Sequence, residues 1–298
     1  MLVRTAGHEA IIVGDGLSAA DVLEAPDGPD IAILDWQMPG LTGPEVCRRV
    51  RAQATGDRYL YLVLLTAFTD PRHMAEGLDA GADDFVPKGV DASVLRARLR
   101  TGTRVVRLVR ELHAAKETLR VQATRDALTG LWNRGAVLDL LDSETARAER
   151  AGTDVGVLVF DLDHFKSIND THGHLVGDDV LRGVAKRLTG AVRAGDYVGR
   201  IGGEELLVIV SVATKHLALV AAERLRNALN AAPIETRIGP LKVTSSIGVT
   251  TFRHIGDRTR DELLADADAA LYRAKHAGRD RVLGGWELPK RGQDQPTW

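Results

Sequence analysis

The stretch that organises this chain is Arg200-Ile201-Gly202-Gly203-Glu204-Glu205-Leu206. β-Prone runs flank it on both sides, at residues 196–201 and 206–210. The Gly-Gly pair between them supplies the positive φ that a tight turn between two strands requires, so the sequence predicts a β-hairpin. On its own, such a turn is as well explained by solvated charges at its tip as by a functional site.

A second run favours a site over a plain turn. Residues 155–160 form an apolar run of buried-strand length that ends on Asp161-Leu162-Asp163. If this strand end lies beside the turn, the carboxylates of Asp161 and Glu204 meet next to the bare backbone of Gly202 and Gly203. Hard oxygen ligands in that setting suit Mg²⁺ that carries a nucleotide triphosphate.

The turn resembles the GGDEF signature of diguanylate cyclases in its Gly-Gly-Glu-Glu form, and the resemblance extends from about Thr124 to Val282. It implies an α+β domain of the nucleotidyl-cyclase, palm-like build. It also implies condensation of two GTP into cyclic di-GMP and two pyrophosphates by a homodimer. Leu206 stands where the family usually has Phe; because this side chain would point into the sheet, we expect altered packing and little chemical effect.

Composition places the chain among globular proteins. Its 298 residues are enough for two domains, and 44% hydrophobic with 27% charged residues shows no disordered bias. A net charge of −2 implies no general attraction to nucleic acid. A single cysteine, Cys47, fits a reducing compartment. The longest apolar run, residues 59–68, is too short for a membrane span and no signal peptide is visible, so we expect a cytoplasmic protein without a membrane partner.

The first 91 residues alternate short apolar runs with helix-like stretches, which predicts a parallel α/β sheet. The runs are residues 10–13, 31–35, 61–66 and 84–86. Polar residues follow three of them: Asp35, Thr66 and Lys88. Because ligands lie beyond the carboxyl ends of such strands, the three could share one site, although a lone Asp at a strand end is more often a helix cap.

These segments together resemble the receiver domain of response regulators, which has a flavodoxin-like fold. The resemblance implies that Asp35 is the phosphoacceptor, assisted by Thr66 and Lys88, and that a sensor histidine kinase is a possible partner. A receiver begins with a strand that ends in an acidic pair for Mg²⁺, whereas residues 1–8 here resemble the end of the first helix. We therefore expect a truncated receiver over residues 1–91 with its first strand missing. Either the true start lies upstream or this receiver is a degenerate platform.

Residues 92–125 contain no proline and no strand-like run. Apolar positions recur at alternating spacings of three and four, which is typical of a coiled-coil heptad, with a polar last position. The alternative is one amphipathic helix lying on a domain. The seam comprises Val105, Leu108, Leu112, Ala115, Leu119 and Gln122. Its place between two domains favours a dimer stalk.

The third segment, residues 126–284, is predicted to be the cyclase domain. Residues 126–134 resemble the family's opening motif, in which Asp126 and Arg134 would tie the stalk to the domain. The resemblance implies that Asp161, the carbonyl of Leu162 and Glu204 hold Mg²⁺ (or Mn²⁺). Glu205 would be a further metal or proton partner.

The phosphate contacts are assigned to two segments. Backbone N–H groups of His164 and Phe165, where a helix should begin, can receive phosphate oxygens. Lys166 is either a third contact or simply solvated. At the other end of the domain, the closing motif implies that Lys275 and Arg279 contact the β- and γ-phosphates, one helical turn apart on one face. The alternative there is a solvated basic helix end.

Guanine recognition is assigned to Asn169 and Asp178, nine residues apart and predicted to lie on two facing helices. A carboxylate accepts from the amino and imino groups of guanine and an amide donates to its carbonyl, whereas adenine would present an acceptor to Asp178. Both residues could instead be helix caps, but the family resemblance outweighs that interpretation.

Arg193 and Asp196 resemble the RxxD inhibitory site of these cyclases, with Arg224 as a second arginine, so cyclic di-GMP is expected as a feedback ligand. Without the resemblance, Arg193 and Asp196 would be a surface ion pair of little energetic value. Residues 285–298 are predicted to be a disordered tail.

Two other functions fit parts of the sequence. A catalytically silent domain could bind cyclic di-GMP through Arg193 and Asp196 as a receptor; the intact Asp161 and Glu204 argue against it. The chain could also be a phosphorylation-driven dimerisation module, against which the missing acidic pair counts.

Overall fold

The computed structural model describes residues 8–53, 58–67, 71–212, 214–252 and 259–287. The chain divides into two compact units, Met1–Leu119 and Arg120–Trp298, with the division inside one long helix. None of the helices in the described ranges has the combined length and apolarity that a membrane span requires.

The first unit is a parallel α/β arrangement. Its sheet has the order β1-β2-β3 with all neighbours parallel, as the alternating pattern predicts. Its elements are α1 (Gly16–Glu24), β1 (Ile31–Asp35), α2 (Gly43–Gln53), β2 (Tyr61–Thr66), α3 (Pro71–Asp79) and β3 (Asp84–Pro87).

The prediction of a strand at residues 10–13 is wrong. These residues form no strand, and Ile11 and Ile12 are 64% and 83% exposed. A strand persists only with a hydrogen-bonded neighbour, and within the described residues no strand pairs with residues 10–13. The predicted helix end at residues 1–8 falls almost wholly on residues outside the described ranges.

Helix α4 (Ala92–Thr124) has 33 residues, in agreement with the predicted helix. Its first half packs on the first sheet, where Val106 is buried with Val63 and Val86. Further along, the seam residues Leu108, Leu112 and Leu119 are 53%, 65% and 64% exposed. The apolar seam therefore faces solvent in one chain, and its pairing with a second copy stays a prediction.

The second unit has a five-stranded sheet of order β10-β9-β4-β6-β5, with β4 antiparallel to both of its neighbours. A separate two-stranded hairpin contains β7 and β8. The elements are α5 (Arg134–Ala151), β4 (Asp154–Leu162), α6 (Phe165–His172), α7 (His174–Ala191), β5 (Tyr197–Gly202), β6 (Glu205–Val212), α8 (Lys215–Asn230), β7 (Ile234–Thr236), β8 (Gly239–Leu241), β9 (Ser245–Phe252), α9 (Arg260–His276) and β10 (Val282–Gly284).

Strand β4 is the centre of this unit because both of its faces are covered. Leu158, Phe160 and Leu162 pack with α7 and α8, whereas Val157 and Val159 pack with α5 and α9. The alternation follows from the two-residue period of a strand, and burial on both faces explains the continuous apolar run. Leu206 is buried in the first of these clusters, as expected for a packing position.

The predicted tail begins later than expected. Gly285–Glu287 form a 3₁₀ turn, in which Trp286 packs against the core cluster and Lys215 lies 5.3 Å from its ring centroid. Burial of the indole ring stabilises this turn. Residues 288–298 lie outside the described part of the chain.

Candidate active site

The signature turn is a two-residue connection between β5 and β6. Gly203 and Glu204 occupy it, and Gly203 has φ +32°. Asp161 lies opposite Glu205 in the β4–β6 register, and Gly202 pairs with Glu205 across the hairpin. The structure thus brings the carboxylate-bearing end of β4 beside the turn, as the sequence predicts.

Asp161 is 6% exposed, and its Oδ2 lies 2.7 Å from Nζ of Lys275. Burial raises the pKa of the Asp161 carboxyl above its ordinary value, and the nearby Glu204 and Glu205 act in the same direction, whereas Lys275 opposes them. Three carboxyl groups thus lie close together here, and an ammonium group lies beside that of Asp161.

Lys275 and Arg279 do not lie on one helix face as predicted. Helix α9 ends at His276, and the chain then bends through Gly278, Arg279 and Asp280 with φ of +112°, +61° and +45°. The left-handed conformation at Gly278 ends the helix, because a helix cannot continue through positive φ. Lys275 projects from the last helical turn onto Asp161, whereas Arg279 lies exposed on the bend.

Asp163, two residues beyond Asp161, is also buried, at 5% exposure. Its carboxylate accepts hydrogen bonds from Thr244 Oγ1 and Ser246 Oγ, each at 2.7 Å, and from the backbone N–H of Asp280 at 3.0 Å. Sequence reasoning gave this residue no role; its alternation with Asp161 signals only that both side chains lie on one face of the strand.

Helix α6 begins at Phe165, as predicted, after His164 in a left-handed conformation with φ +58°. The side chain of Phe165 is 5% exposed within the core, so only its backbone is offered to a ligand. Lys166 is exposed. The structure therefore places the backbone N–H groups of a helix start next to the end of β4.

Asn169 and Asp178 lie on consecutive helices, α6 and α7, as predicted. Asn169 Oδ1 is buried without a hydrogen-bond partner, and a Cβ at Gly177 would lie only 1.9 Å from it. Glycine at 177 is what lets the two helices approach with the amide between them. Asp178 is partly exposed and lies 4.0 Å from Arg182.

Sequence reasoning missed Arg200, which connects the helix end to the turn. Its Nη1 lies 3.2 Å from Asp126 Oδ1, and its Nε donates to the carbonyl of Gly203 at 2.8 Å. Although burial acts to raise the pKa of Asp126, hydrogen bonds from Thr129 and the Arg200 guanidinium hold it below the ordinary value. Arg134, predicted to tie the stalk to the domain, donates to the carbonyl of Ile201 at 3.1 Å.

A pocket of about 510 Å³ contains all three residues of the predicted inhibitory site. Asp196 accepts from the backbone N–H of Arg193 at 3.0 Å and lies 3.9 Å from Arg224 Nη2. The pocket also contains Arg147, paired with the buried Glu144. Neither residue is singled out by the sequence, because both lie on α5, distant in the chain from Arg193.

In the first unit, the three predicted residues do meet. Lys88 Nζ lies 2.6 Å from Asp35 Oδ2, and the backbone N–H of Lys88 donates to the carbonyl of Thr66 at 2.7 Å. Asp35 Oδ1 accepts from the backbone N–H of Gln37 at 3.2 Å. The carboxyl ends of β1, β2 and β3 therefore form one cluster.

The donor set around Asp161 fits a divalent cation that arrives with its own ligands. Within the described residues, no three Asp, Glu, His or Cys side chains converge as a closed metal site. Mg²⁺ does not need one, because it usually binds one or two carboxylates together with substrate phosphates and water. The ammonium of Lys275 on Asp161 shows that this position already favours a cation.

The first unit is a parallel α/β unit with an Asp-Lys pair at its strand ends. The second is an α+β unit with a glycine turn beside a buried aspartate. This combination is typical of signalling proteins that join a receiver to a nucleotide-processing domain. The chain belongs to the diguanylate cyclase GGDEF-domain family, whose model matches residues 123–281. The response regulator receiver domain model matches residues 2–100.

Curated relatives agree with this assignment. The chain is 35% identical over 279 residues to the response regulator PleD of Caulobacter vibrioides, covering 93% of this chain and 61% of that protein. It is 43% identical over 170 residues to the diguanylate cyclase DgcP of Pseudomonas aeruginosa, covering 57% of this chain and 25% of that protein. The chain thus spans less than two thirds of the length of these relatives.

Two solved structures are similar to the second part of the chain. The coiled coil and GGDEF domain of DgcB from Caulobacter crescentus, in complex with c-di-GMP, has a TM-score of 0.57 and 33% identity, covering 64% of this chain and 98% of that one. The diguanylate cyclase SiaD from Pseudomonas aeruginosa, in complex with its activator SiaC, has a TM-score of 0.53 and 36% identity, covering 64% and 72%.

Proposed function

We propose that this protein is a diguanylate cyclase that condenses two GTP into cyclic di-GMP and two pyrophosphates. The observation that carries the proposal is the juxtaposition of the buried Asp161 with the Gly203-Glu204 turn, on neighbouring strands of a GGDEF-family domain. Each subunit would bind one GTP, and two subunits facing each other would complete the reaction.

Guanine is read between α6 and α7. Asn169 has an unpaired buried amide oxygen and lies against Gly177, and Asp178 is the adjacent carboxylate. Asp178 accepts from the amino and imino groups of guanine, and the Asn169 amide donates to the guanine carbonyl. Adenine would leave Asp178 facing an acceptor, so the pair selects GTP over ATP.

The triphosphate lies between the start of α6 and the end of α9. Backbone N–H groups of His164 and Phe165 bind phosphate oxygens, with Lys166 alongside. From the other side, Lys275 and Arg279 neutralise the charge that develops on the departing pyrophosphate. Gly202 and Gly203 carry no side chain that would keep the nucleotide from the hairpin backbone.

Asp161, Glu204 and the carbonyl of Leu162 would hold Mg²⁺ or Mn²⁺, with Glu205 as a further metal or proton partner. When bound, the cation supplies polarisation of the α-phosphate and activation of the 3′-hydroxyl of the opposing nucleotide. Lys275 lies on Oδ2 of Asp161, so a cation on this carboxylate would compete with the ammonium through charge repulsion. An ammonium displaced in this way would be available to the phosphates.

The exposed seam of α4 would pair with a second copy and bring two cyclase domains together.

In the first unit, Asp35 would accept a phosphoryl group from a sensor histidine kinase, with Thr66 and Lys88 as its partners. The pocket of Arg193, Asp196 and Arg224, with Arg147 beside them, would bind cyclic di-GMP as feedback inhibitor, because guanidinium groups suit both guanine edges and phosphates.

The test is production of cyclic di-GMP and pyrophosphate from GTP and Mg²⁺ by the purified protein. Glu204→Ala should reduce both products by about a thousandfold. The matched control is Glu235→Ala, which removes an exposed carboxylate on β7 of the same unit. A folded dimer without product, whose tight binding of cyclic di-GMP is lost in Arg193→Ala, would instead establish a receptor.

A further inference from the structure

Asp163 is the buried carboxylate of this site to which the proposed reaction assigns no role. Besides its three acceptor contacts, its own backbone N–H donates to the carbonyl of Thr244 at 2.9 Å. Burial of a carboxylate is costly unless it is fully hydrogen bonded, so this set of bonds fixes the side chain in one position. Three segments meet on it: the end of β4, the start of β9 and the bend after α9.

The bend after α9 requires support from outside itself. Arg279 and Asp280 are both non-glycine residues in the left-handed region, where the Cβ of an L-residue crowds the backbone. The side chain of Asp280 accepts from Arg226 at 2.5 Å and from Asn230 at 2.7 Å, both on α8. Its backbone N–H donates to Asp163. The bend is therefore held by α8 on one side and by the end of β4 on the other.

These contacts connect the two ends of the proposed triphosphate site. Asp163 follows Asp161 and Leu162 directly in the chain, and Asp280 follows Arg279. The hydrogen bond from Asp280 N–H to Asp163 thus connects the bend that carries Arg279 to the strand end that carries the proposed metal ligands. The backbone N–H of Arg279 also donates to the carbonyl of Ala274 at 3.1 Å, so the last turn of α9 fixes the start of the bend and Asp163 fixes the residue after Arg279. Lys275 lies within that last turn and has no contact with Asp163 among its hydrogen bonds and ion pairs.

We propose that Asp163 is a positioning residue, which holds Arg279 where it meets the terminal phosphates through its hydrogen bond to Asp280. The proposal rests on the proposed function of this site. The two carboxylates of the Asp161-Leu162-Asp163 run then have different roles. Asp161 faces the substrate, and Asp163 positions the bend after α9.

The experiment compares two ligands in the presence of Mg²⁺: α,β-methylene GTP, which cannot release pyrophosphate, and GMP, which lacks the phosphates that Arg279 would contact. Isothermal titration calorimetry gives the affinity for α,β-methylene GTP divided by the affinity for GMP. Asp163→Ala should lower that ratio by about tenfold, the loss of one charge-assisted phosphate contact, and leave GMP binding within about twofold.

Two variants control for a merely structural effect. In Asp163→Asn, the amide oxygen still accepts from Asp280 N–H and the amide nitrogen donates to Ser246 Oγ, so the ratio should stay within about twofold of wild type. Ser246→Ala removes a hydrogen bond to the same carboxylate but leaves the contact to Asp280, and should also preserve the ratio. If Asp163→Ala does not fold, Asp163→Glu replaces it, because the longer side chain keeps the charge but displaces the bend.

A double-mutant cycle with Arg279→Met tests the route. If Asp163 acts through Arg279, Asp163→Ala should change the ratio by less than about twofold in the Arg279→Met background. An undiminished effect there, or equal weakening of both ligands, would overturn the proposal. Neither ligand is turned over, so a wild type that prefers the triphosphate analogue but makes no cyclic di-GMP contradicts the proposed function alone. A wild type without that preference contradicts both.

Discussion

Two aspartates in this protein lie at the carboxyl ends of strands, and each pairs with a lysine at nearly the same distance. Asp35 lies 2.6 Å from Lys88, and Asp161 lies 2.7 Å from Lys275. Their surroundings differ: the side chain of Asp35 is 37% exposed and that of Asp161 is 9% exposed. Strand position explains the difference, because β1 lies at the edge of its described sheet whereas β4 is central.

The comparison shows that one Asp-Lys distance occurs in two different surroundings. A central strand receives neighbours on both sides, so Glu204 and Glu205 come from β6 and the adjoining turn, while β9 covers the other flank of β4. Burial, and the charges of Glu204 and Glu205, raise the pKa of Asp161 above its ordinary value. At the edge strand, water replaces such neighbours and screens the pair.

The largest effect is expected at the central strand. Asp161→Asn should lower cyclic di-GMP synthesis by about a thousandfold, because it removes a charged ligand of the proposed metal. Initial rates of pyrophosphate release measure this. Asp139→Asn, an exposed carboxylate on α5, should change the rate by less than about twofold. Equal rates for Asp161→Asn and wild type would show that the buried pair is structural, like any other ion pair.

Truncating a core side chain should cost more unfolding free energy on β4 than on β1. Leu158→Ala on β4, where the side chain is fully buried, should cost about 3 kcal/mol of unfolding free energy. Ile33→Ala on β1, where the side chain is partly buried, should cost about 1 kcal/mol. Native-state hydrogen exchange resolves the two units separately. A cost at Ile33 as large as that at Leu158 would mean that β1 is no less enclosed than β4.

The lysines themselves provide the next test. Lys275→Met should tighten Mn²⁺ binding to the nucleotide-free protein by about tenfold, because it leaves Asp161, Glu204 and Glu205 without their resident cation. Electron paramagnetic resonance of free Mn²⁺ reports this without turnover. Lys88→Met, at the more exposed Asp35, should tighten it by less than about twofold. If Lys275→Met left the Mn²⁺ affinity unchanged, Lys275 would not compete for the cation position.

The smallest effect concerns Asp126, a third carboxylate paired with a cation. Its pKa in the fold is below the usual 3.8, so the ionised form stabilises the native state above that pH, and this contribution is lost as pH falls through the folded-state pKa. Asp126→Asn should therefore be less stable than wild type by about 1 kcal/mol at pH 7, with the gap closing towards pH 3. Urea unfolding at several pH values measures the gap.

The control for that series is Asp261→Asn, whose carboxylate is 89% exposed. It should track wild type at every pH. A gap for Asp126→Asn that stayed constant down to pH 3 would mean that its charge is not what joins the helix end to the hairpin.

Much of this arrangement could be predicted from local pattern. The hairpin at Gly203 and the strand ending on Asp161 follow from apolar runs and turn residues, because a strand's period and a turn's φ are properties of a few neighbours. The strand expected at residues 10–13 failed for the complementary reason: a strand also needs a partner, and composition alone does not provide one.

Contacts between distant segments could not be predicted in this way. Lys275 contacts Asp161 only because α9 packs on β4. Arg279 does not share a helix face with Lys275, because the helix ends before the positive φ of Gly278. The contacts of Asp163 and Arg200 could not be predicted for the same reason, because their partners lie in other elements. The sequence shows which residues can do chemistry, and tertiary packing decides which ones do.

The guanidinium of Arg200, shared between Asp126 and the carbonyl of Gly203, has a consequence for recombining this domain with others. A fusion joint placed before Arg120 leaves Asp126, Arg200 and the hairpin together, so a foreign sensory module can be grafted there without disturbing the turn. A joint placed after Asp126 separates the carboxylate from the hairpin it steadies. A transferable domain therefore begins in the last turns of α4, ahead of both α5 and the first strand of its sheet, β4.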